Sequence, residues 1–346
     1  MVTEPPLIKD RKTDHVRINL EKDVQFRRLG SGLDGVRFIH QALPELDLDQ
    51  VDTSTVFLGK RLRAPILISS MTGGNTELRA VNRHLASAAQ AAGIAMGVGS
   101  QRAAIEDSTL ASTFQVRDIA PDILLFANLG AVQLNYSYGV AECRRAVEMI
   151  EADALILHLN PLHEAVQPEG DWNWSNLLSR IEAVCRNLPI PVIAKEVGWG
   201  LSAEAVRDLS NAGVAALDVA GAGGTSWSEV EHHRARSPLQ ARIAAAFADW
   251  GLTTLESLLL ARETAPHLPA IASGGLVDGI DIAKVIALGA SLAGLAAPFL
   301  EPATRSAEAA VEKATELITV LRIAMFAAGA SKITQLNESR LIQPGC

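Results

Sequence analysis

A cluster of histidine, amide and carboxylate side chains occurs near the middle of the sequence, at residues 157–171. His158 and Asn160 are two residues apart, so they face the same side of a strand. His163 and Glu164 follow in the next loop. A hard cation such as Mg²⁺ prefers oxygen ligands and bridges phosphates, so the segment suits a diphosphate with a metal ion at Glu164.

Basic residues occur at two further places. Arg11, Lys12 and His15 lie near the start of the chain, and Arg102 follows the second apolar run. Arginine can bind a diphosphate through two hydrogen bonds at once, so these residues suit the same anion site. The alternative is an ordinary solvated arm. The basic residues stand out because the chain has 31 Lys and Arg against 39 Asp and Glu, a formal charge of -8.

Lys195 ends the apolar run from Pro191 to Val197. A lysine buried there needs an anionic partner, because an unpaired charge is costly to remove from water. It could form a Schiff base with a substrate, or it could stabilise the anionic form of a flavin ring. A third interpretation is an ion pair with the neighbouring Glu196.

Glycine-rich turns follow several of the apolar runs. Residues 273–279 and 296–298 are placed where many barrels bind a ligand phosphate through backbone N–H groups, although a tight turn is the simpler explanation. Residues 220–228 form a second loop, interpreted as flexible, which carries the Thr225 hydroxyl, and residues 70–74 form a third. Three loops of glycine and hydroxyl residues favour a nucleotide-type cofactor over a small sugar or amino acid.

The elements that would position these residues are short apolar runs that alternate with Ala-rich segments. Continuous apolarity is typical of strands buried on both faces, as in a parallel sheet. Helix signals lie between the runs, including N-caps at Ser202 and Asp278 and stops at Gly213 and Gly289. The runs predicted as strands are 64–70, 95–100, 124–130, 154–160, 191–197, 216–221, 270–275 and 292–299.

Eight such units predict an α/β fold, a (β/α)8 TIM barrel, rather than a doubly wound sheet, which usually has fewer strands. Most runs end in polar residues or glycine, and the carboxyl ends of barrel strands meet at one face, so the sequence predicts one shared cavity. Residues 1–63 are too polar to form a core alone. We therefore predict an N-terminal arm and cap at 1–63, which do not fold independently, and a (β/α)8 barrel domain at 64–346.

Composition excludes several classes of function. An acidic chain has no global positive field for nucleic acid or an anionic membrane. The most apolar stretch, 287–300, is interrupted by glycine and proline, and the N-terminus lacks a signal peptide, so a cytoplasmic location is expected. Cys143, Cys185 and Cys346 show no CxxC spacing, which favours reduced thiols over disulfides or a metal site.

Taken in order, the motifs resemble those of the type 2 isopentenyl-diphosphate delta-isomerase family. The similarity runs from about residue 11 to about residue 300 without a large insertion. A set of motifs in register is far more specific than any one of them. They lie at residues 11–15, 70–74, 97–102, 127–130, 158–161, 167–171, 195–198, 221–227 and 273–275.

The resemblance implies a (β/α)8 barrel that holds FMN, reduced by NADPH, and interconverts isopentenyl and dimethylallyl diphosphate with Mg²⁺. It also implies a homo-oligomer, a tetramer or octamer, and reduced flavin N5 as the main acid and base. The implied FMN contacts are Ser70, Met71, Thr72, Gly73, Ser100, Asn128, Lys195, Thr225, Gly274, Gly275, Leu276, Val277, Ala296 and Ala297. The implied substrate contacts are Arg11, Lys12, His15, Ser100, Gln101, Arg102, His158, Asn160 and His163, with Glu164 as the metal ligand.

One residue departs from the family pattern. His163 stands where the family has Gln, directly before the metal-binding glutamate. Imidazole titrates near neutrality, so His163 is a candidate catalytic acid or base that would act with flavin N5 and make the rate more acid-dependent. The same change would also fit a divergent flavoprotein that acts on another allylic diphosphate, or an inactive relative.

Two other classes of function remain as alternatives. An FMN-dependent 2-hydroxy-acid oxidoreductase shares the barrel and the phosphate turns, but such enzymes usually place a catalytic His and Arg late in the barrel. This chain offers His232, His233 and Arg234 after the sixth predicted strand and nothing similar after the seventh. A barrel kept only for binding would require the polar strand ends to be accidental.

Overall fold

The computed structural model describes residues 8–342, with side chains from Lys12 onward. In this range the helices are α1 (Ile8–Glu21), α2 (Arg79–Ala92), α3 (Arg102–Glu106), α4 (Val140–Ile150), α5 (Pro161–Val166), α6 (Leu177–Asn187), α7 (Ala203–Asn211), α8 (Trp227–Arg234), α9 (Pro238–Ala245), α10 (Thr254–Thr264), α11 (Gly279–Ala287), α12 (Ala297–Arg305) and α13 (Ala307–Ala327). The strands are β1 (Arg37–Phe38), β2 (Thr55–Phe57), β3 (Lys60–Leu62), β4 (Ile66–Ile68), β5 (Ala95–Gly97), β6 (Leu125–Gly130), β7 (Ala154–Leu159), β8 (Val192–Glu196), β9 (Ala216–Asp218), β10 (Ala270–Ser273), β11 (Leu292–Leu295) and β12 (Leu341–Ile342).

Strands β4 to β11 form a closed barrel in which each strand pairs in parallel with its neighbours in the sequence, and β11 pairs with β4. Each apolar run predicted from the sequence contains one of these strands. The register brings His158 beside Lys195 and Lys195 beside Asp218 on adjacent strands. The predicted (β/α)8 fold class is therefore confirmed.

The helix signals in the sequence act as predicted. The Ser202 hydroxyl accepts a hydrogen bond from the Ala205 N–H and begins α7, and the Asp278 carboxylate accepts from two N–H groups at the start of α11. Gly213 and Gly289 follow these helices with φ of +86° and +94°. Glycine adopts this left-handed conformation without strain, so both helices can end and lead directly into the next strand.

The barrel interior has an apolar lower part, formed by residues that alternate with outward-facing ones. In β7, Ala154 and Ile156 face inward, whereas Leu155 and Leu157 pack towards the surrounding helices. The hairpin of β2 and β3 covers the bottom of the barrel. The lower interior cluster consists of Phe57, Leu62, Leu67, Ala95, Leu124, Phe126, Ala154, Ile156, Ile193, Ala216, Ile271 and Leu292.

The segment before the barrel contacts both of its ends. Helix α1 packs against α8 at the upper end, and Gln25 forms an isolated antiparallel bridge with Thr225. Strand β1 pairs with β12 near the C-terminus, where Phe38 lies opposite Leu341. The division into an arm at 1–63 and a barrel at 64–346 stays a prediction, although these contacts agree with an arm that depends on the barrel.

Two further predictions concern membranes and cysteines. Among residues 8–342, no helix combines the length and the apolar character needed to cross a bilayer. Cys143 and Cys185 are free thiols, and burial raises the pKa of Cys143 to about 12 and that of Cys185 to about 11. Both thiols are therefore protonated at neutral pH, which makes them poor nucleophiles. Cys346 lies outside the described residues.

Candidate active site

A cavity of about 800 Å³ opens at the carboxyl ends of the barrel strands. Nearly all of the predicted site residues line it, although they come from loops far apart in the sequence. The predicted residues that line the cavity are Lys12, His15, Ser70, Met71, Thr72, Ser100, Arg102, Asn128, His158, Asn160, His163, Glu164, Lys195, Thr225, Gly274, Gly275, Leu276, Val277, Ala296 and Ala297.

Three predicted residues are not among those that line the cavity. The Gln101 side chain is buried, where its Nε2 donates to the Ala146 carbonyl and its Oε1 accepts from the Asn128 N–H. The Gln101 side chain would have to break both bonds to reach a substrate, and its substrate contact stays a prediction. Gly73 packs against the Phe114 ring. The Arg11 side chain lies outside the described part of the chain.

Polar side chains form a layer at the upper end of the barrel interior, next to the cavity. Lys195 Nζ lies 3.0 Å from Asp218 Oδ2 and donates to Ser273 Oγ, and Ser273 donates in turn to Asp218 Oδ1 at 2.6 Å. On the other side, His158 Nδ1 lies 2.7 Å from Asn128 Oδ1. The anionic partner of Lys195 is therefore Asp218 on the next strand, and not Glu196, the partner in the third interpretation.

Glu196 instead binds the backbone that follows its own strand. Its Oε2 accepts hydrogen bonds from the N–H groups of Val197, Gly198 and Trp199 at 2.5–2.7 Å. Burial raises the pKa of Glu196 to about 7, even though these hydrogen bonds and the nearby Lys195 charge act in the opposite direction. Glu196 thus shapes the loop behind Lys195 and does not neutralise it.

The glycine turns at the rim are needed for close packing between loops. Gly274 and Gly275 have φ of +107° and +73°, and a Cβ atom on Gly274 would lie 2.0 Å from the Gly221 carbonyl oxygen. The next loop leads into α12, whose N-terminus has no side-chain cap and whose first residue, Ala297, lines the cavity. Free N–H groups at a helix N-terminus suit a phosphate.

Several buried hydroxyl groups around the cavity have no hydrogen-bond partner. They are Ser69 Oγ, Ser70 Oγ and Thr72 Oγ1, all at or after the end of β4. A buried hydroxyl without a partner is costly, so such groups indicate a polar ligand that completes their hydrogen bonds. Together with the uncapped helix and the Lys195 charge, they fit FMN.

The loop 220–228, interpreted from the sequence as flexible, makes several contacts with the N-terminal segment. The Ser226 N–H donates to the Val24 carbonyl, and Thr225 Oγ1 donates to Asn19 Oδ1. A Cβ atom on Gly223 would lie 2.2 Å from the Ser31 nitrogen. The N-terminal segment therefore holds this loop in place through direct contacts, which the sequence alone could not show.

Glu164 and Asn160 bring carboxylate and amide oxygens together at the cavity, and these atoms could hold a metal ion. Glu164 accepts from Asn160 Nδ2 and from the Asp171 N–H, both at 2.8 Å, and both residues are buried. A carboxylate has further lone pairs beyond these two bonds. Asn160 Oδ1 is buried without a partner. One carboxylate and one unpaired amide oxygen fit Mg²⁺, which takes its remaining ligands from water and substrate phosphate.

Basic groups surround this oxygen pair. Arg102 donates to Asp171 Oδ2 at 2.7 Å and to Glu106 Oε1 at 2.8 Å, and Gln133 donates to the same Asp171 oxygen. Lys12 Nζ donates to the Ser100 carbonyl at 2.6 Å. Sequence reasoning missed Asp171 as the partner that Arg102 and Gln133 share, although Asp171 ends one of the motifs.

A cluster of three rings and one carboxylate forms the other side of the rim. His15 Nε2 and His163 Nε2 both bond Glu231 Oε1, and the Trp227 ring packs against both imidazoles. Burial would raise the pKa of Glu231, but the bonds to the two histidines outweigh burial and hold that pKa well below its usual range. The Trp227–Glu231 spacing of four residues on one helix was a signal that sequence reasoning missed.

The basic residues that would serve a 2-hydroxy-acid oxidoreductase lie elsewhere. Arg234 pairs with Glu231 and Glu169, His232 Nδ1 contacts the Ala241 carbonyl, and His233 is exposed beside the Asp23 carbonyl. None of these three side chains is among the described residues that line the cavity. Their placement gives no support to that alternative.

The fold and the site define a class of protein. A family model described as FMN-dependent dehydrogenase matches residues 7–117 and 141–343, so the chain is a member of that flavin-dependent class. Solved structures of the same fold include a mandelate oxidase variant, with a TM-score of 0.65 and 18% identity over 97% of this chain and 98% of that one. A soluble mutant of (S)-mandelate dehydrogenase from Pseudomonas putida gives a TM-score of 0.66 and 20% identity over 96% and 91%.

Relatives with higher sequence identity indicate a particular family within this class. A protein of Nostoc sp. named isopentenyl-diphosphate delta-isomerase is 54% identical over 98% of this chain and 99% of its own length. A protein of the same name from Stutzerimonas stutzeri is 55% identical over 96% of both chains. The chain therefore belongs to the isopentenyl-diphosphate delta-isomerase family, which confirms the resemblance found in its motifs.

Proposed function

We propose that the protein converts isopentenyl diphosphate into dimethylallyl diphosphate, with reduced FMN and Mg²⁺. The observation that carries the proposal is the single cavity at the top of the barrel. Unpaired buried hydroxyls and a lysine–aspartate pair suited to FMN lie on one side of it, and basic residues with paired oxygen ligands lie on the other. The names of the relatives support the same reaction.

The FMN-binding part of the proposal assigns roles along the rim. The turn at Gly274 and Gly275 and the N-terminus of α12 would bind the phosphate, and Ser70 and Asn128 would contact the ring system with Lys195. When it is bound and reduced, FMN supplies a proton donor and acceptor at N5. Lys195, itself held by Asp218, would place a fixed positive charge beside the cofactor, which stabilises an anionic ring without any reorganisation.

The remaining basic and oxygen groups would hold the substrate diphosphate. Lys12, Arg102 and His158 supply hydrogen-bond donors, and Glu164 with Asn160 would position Mg²⁺ against the phosphate oxygens. Arg102 would exchange its bond to Asp171 for one to the diphosphate. Apolar cavity residues such as Met71 and Trp227 then leave a surface for a hydrocarbon tail.

His163 is the proposed acid–base group of the protein itself. It lines the cavity, and its Nε2 bond to Glu231 at 3.0 Å together with the Trp227 ring fixes the imidazole in one orientation. A fixed and hydrogen-bonded imidazole can pass a proton at the substrate or hold an ordered water there. NADPH as reductant, the tetramer or octamer and the cytoplasmic location stay predictions.

The experiment is an anaerobic assay with FMN-loaded protein, dithionite, Mg²⁺ and isopentenyl diphosphate, with the product identified by NMR. We expect dimethylallyl diphosphate only when the flavin is reduced and Mg²⁺ is present. The natural chain and His163→Gln are compared across pH, and coinciding rate profiles would remove the acid–base role from His163. Oxidation of a 2-hydroxy acid without isomerisation would contradict the proposal.

A further inference from the structure

Two imidazole nitrogens and one carboxylate oxygen meet at the rim of the cavity. His15 Nε2 and His163 Nε2 lie 3.1 and 3.0 Å from the same atom, Glu231 Oε1. The three atoms lie within 4.8 Å of one another. They come from three separate helices, α1, α5 and α8. Across residues 12–342, no other group of histidine, cysteine and acidic ligand atoms is gathered in this way.

The spacing of these atoms matches a coordination sphere. Bonds of about 2.0–2.1 Å from a metal ion to nitrogen and oxygen separate neighbouring ligand atoms by about 2.9–3.4 Å. Both nitrogen–oxygen distances, 3.1 and 3.0 Å, already fall in that range. The third separation, between the two histidine nitrogens, is at most 4.8 Å. An ion that replaces the shared hydrogen bonds would therefore bring the two imidazole nitrogens closer together by rotation of the side chains.

Outer groups orient the three ligands. Arg234 donates to the second oxygen of Glu231 at 2.8 Å, which leaves Oε1 directed towards the histidines. The Trp227 ring lies 5.1 Å from the His15 ring and 4.7 Å from the His163 ring, so neither imidazole turns freely. Metal sites in proteins depend on such supporting contacts, because they fix the orientation of each ligand before the ion arrives.

We propose that His15, His163 and Glu231 form a site for a transition-metal ion of the Zn²⁺ type. Two nitrogens and one oxygen suit Zn²⁺, whereas Mg²⁺ prefers oxygen ligands alone, so this site is separate from the one at Glu164. His15 and His163 line the cavity, which gives the ion an entry path and leaves a position open for water or an anion.

The consequence for activity rests on the proposed function. The family resemblance implies that His15 contacts the substrate, and His163 is the proposed acid–base group, so an ion that binds them withdraws both residues from the reaction. Zinc therefore inhibits the isomerase even when Mg²⁺ is saturating. A chain that carries Gln at position 163, as the family motif does, lacks one of the nitrogens and escapes this inhibition.

The direct test is a zinc titration of the FMN-loaded protein without substrate, by isothermal calorimetry in the presence of a competing chelator. We expect one saturable ion per chain. His163→Gln and Glu231→Gln should each weaken zinc binding by more than the about 10–100-fold that loss of an outer-shell group costs. Unchanged zinc affinity in His163→Gln would overturn the proposal, as would the absence of saturable binding.

Two control variants locate the ion. His233→Gln removes an exposed histidine of the same helix, and Glu164→Gln removes the proposed Mg²⁺ ligand. Both should keep full zinc affinity, and a loss in His233→Gln would place the ion on the surface instead. Flavin absorbance and circular dichroism show whether each variant is folded. If Glu231→Gln does not fold, the zinc affinity of His163→Gln alone decides whether the proposed site exists. The titration uses no substrate, so its failure would leave the proposed isomerase activity intact.

Discussion

The lower and upper parts of the barrel interior are built by the same strands and differ completely in chemistry. On β6, β7 and β8 the inward-facing residue changes from apolar to polar over a distance of two positions. The pairs are Phe126 and Asn128, Ile156 and His158, and Ile193 and Lys195. The lower residues fill the space next to the β2–β3 hairpin at the bottom of the barrel. The upper residues form hydrogen bonds with other polar side chains and face the cavity.

On each of these strands, the lower residue contributes to stability and the upper residue contributes to function. The lower cluster contributes through burial of apolar surface, which has no directional requirement and tolerates no cavity. The upper layer contains a buried ion pair, Lys195–Asp218, which gains little for stability compared with an apolar pair of the same size. Because this buried pair stabilises the fold so little, its presence indicates a bound ligand that interacts with the Lys195 charge.

Phe126→Ala tests the lower part and carries the largest expected effect on stability. Phe126 is fully buried, and its ring lies 6.4 Å from that of Phe57 in the β2–β3 hairpin. We expect a loss of about 3–5 kcal/mol in the free energy of unfolding, since the deletion leaves a cavity. Urea titration measures it. The flavin affinity of the folded variant should be unchanged. A selective loss of flavin binding would contradict the separation between an apolar lower part and a ligand-binding upper part.

Lys195→Met tests the upper layer. It leaves the Asp218 carboxylate buried without its cation, and we expect the unfolding free energy to fall by about 3 kcal/mol. The double variant Lys195→Met with Asp218→Asn removes the buried charge and should regain part of that stability without regaining flavin affinity. Equal losses in the single and double variants would show that the pair is not energetically coupled.

Glu164→Gln should leave the fold nearly unaffected and act on the metal. The amide can keep one of the two hydrogen bonds of Glu164, so we expect a stability change of about 1 kcal/mol. Mg²⁺-dependent turnover should be lost while flavin binding is retained, because the amide cannot balance the charge of the ion. Initial rates across Mg²⁺ concentrations measure this effect. Loss of flavin would show that the metal assignment is wrong.

The effect of Glu196 is visible as a pH dependence of stability. Burial raises its pKa from 4.5 to about 7, so the folded state binds this proton more tightly than the unfolded state. The unfolding free energy should therefore fall as pH rises from about 4.5 to about 7, by about 1 kcal/mol or less per pH unit. Glu196→Gln should remove that slope in urea titrations at several pH values. The same slope in both proteins would assign the titration to another group.

The sequence predicted the barrel well because its signals are local. Each strand is a continuous apolar run, and each polar strand end could be assigned to the same face once the fold class was known. The partner of Lys195 could not be predicted in this way. Glu196 is adjacent in sequence but points away from the barrel interior, and Asp218 approaches only through the register of β8 with β9.

The rim of the cavity was harder to predict, since it depends on contacts between distant segments. Glu231 lies 216 residues from His15 and 68 from His163, and nothing local marks it as their common partner. Gln101 shows a different difficulty. Its place inside a motif suggests ligand contact, whereas in the structure its buried side chain accepts a hydrogen bond from the Asn128 backbone.

The pairing of the N-terminal segment with late parts of the chain bears on how the protein is made. Helix α1 and strand β1 are synthesised well before their partners, since α8 begins at Trp227 and β12 at Leu341. Contacts across such separations form late, because a long loop must close before they stabilise anything. We expect the contacts between the N-terminal segment and the barrel to form later in folding than the contacts between neighbouring strands and helices.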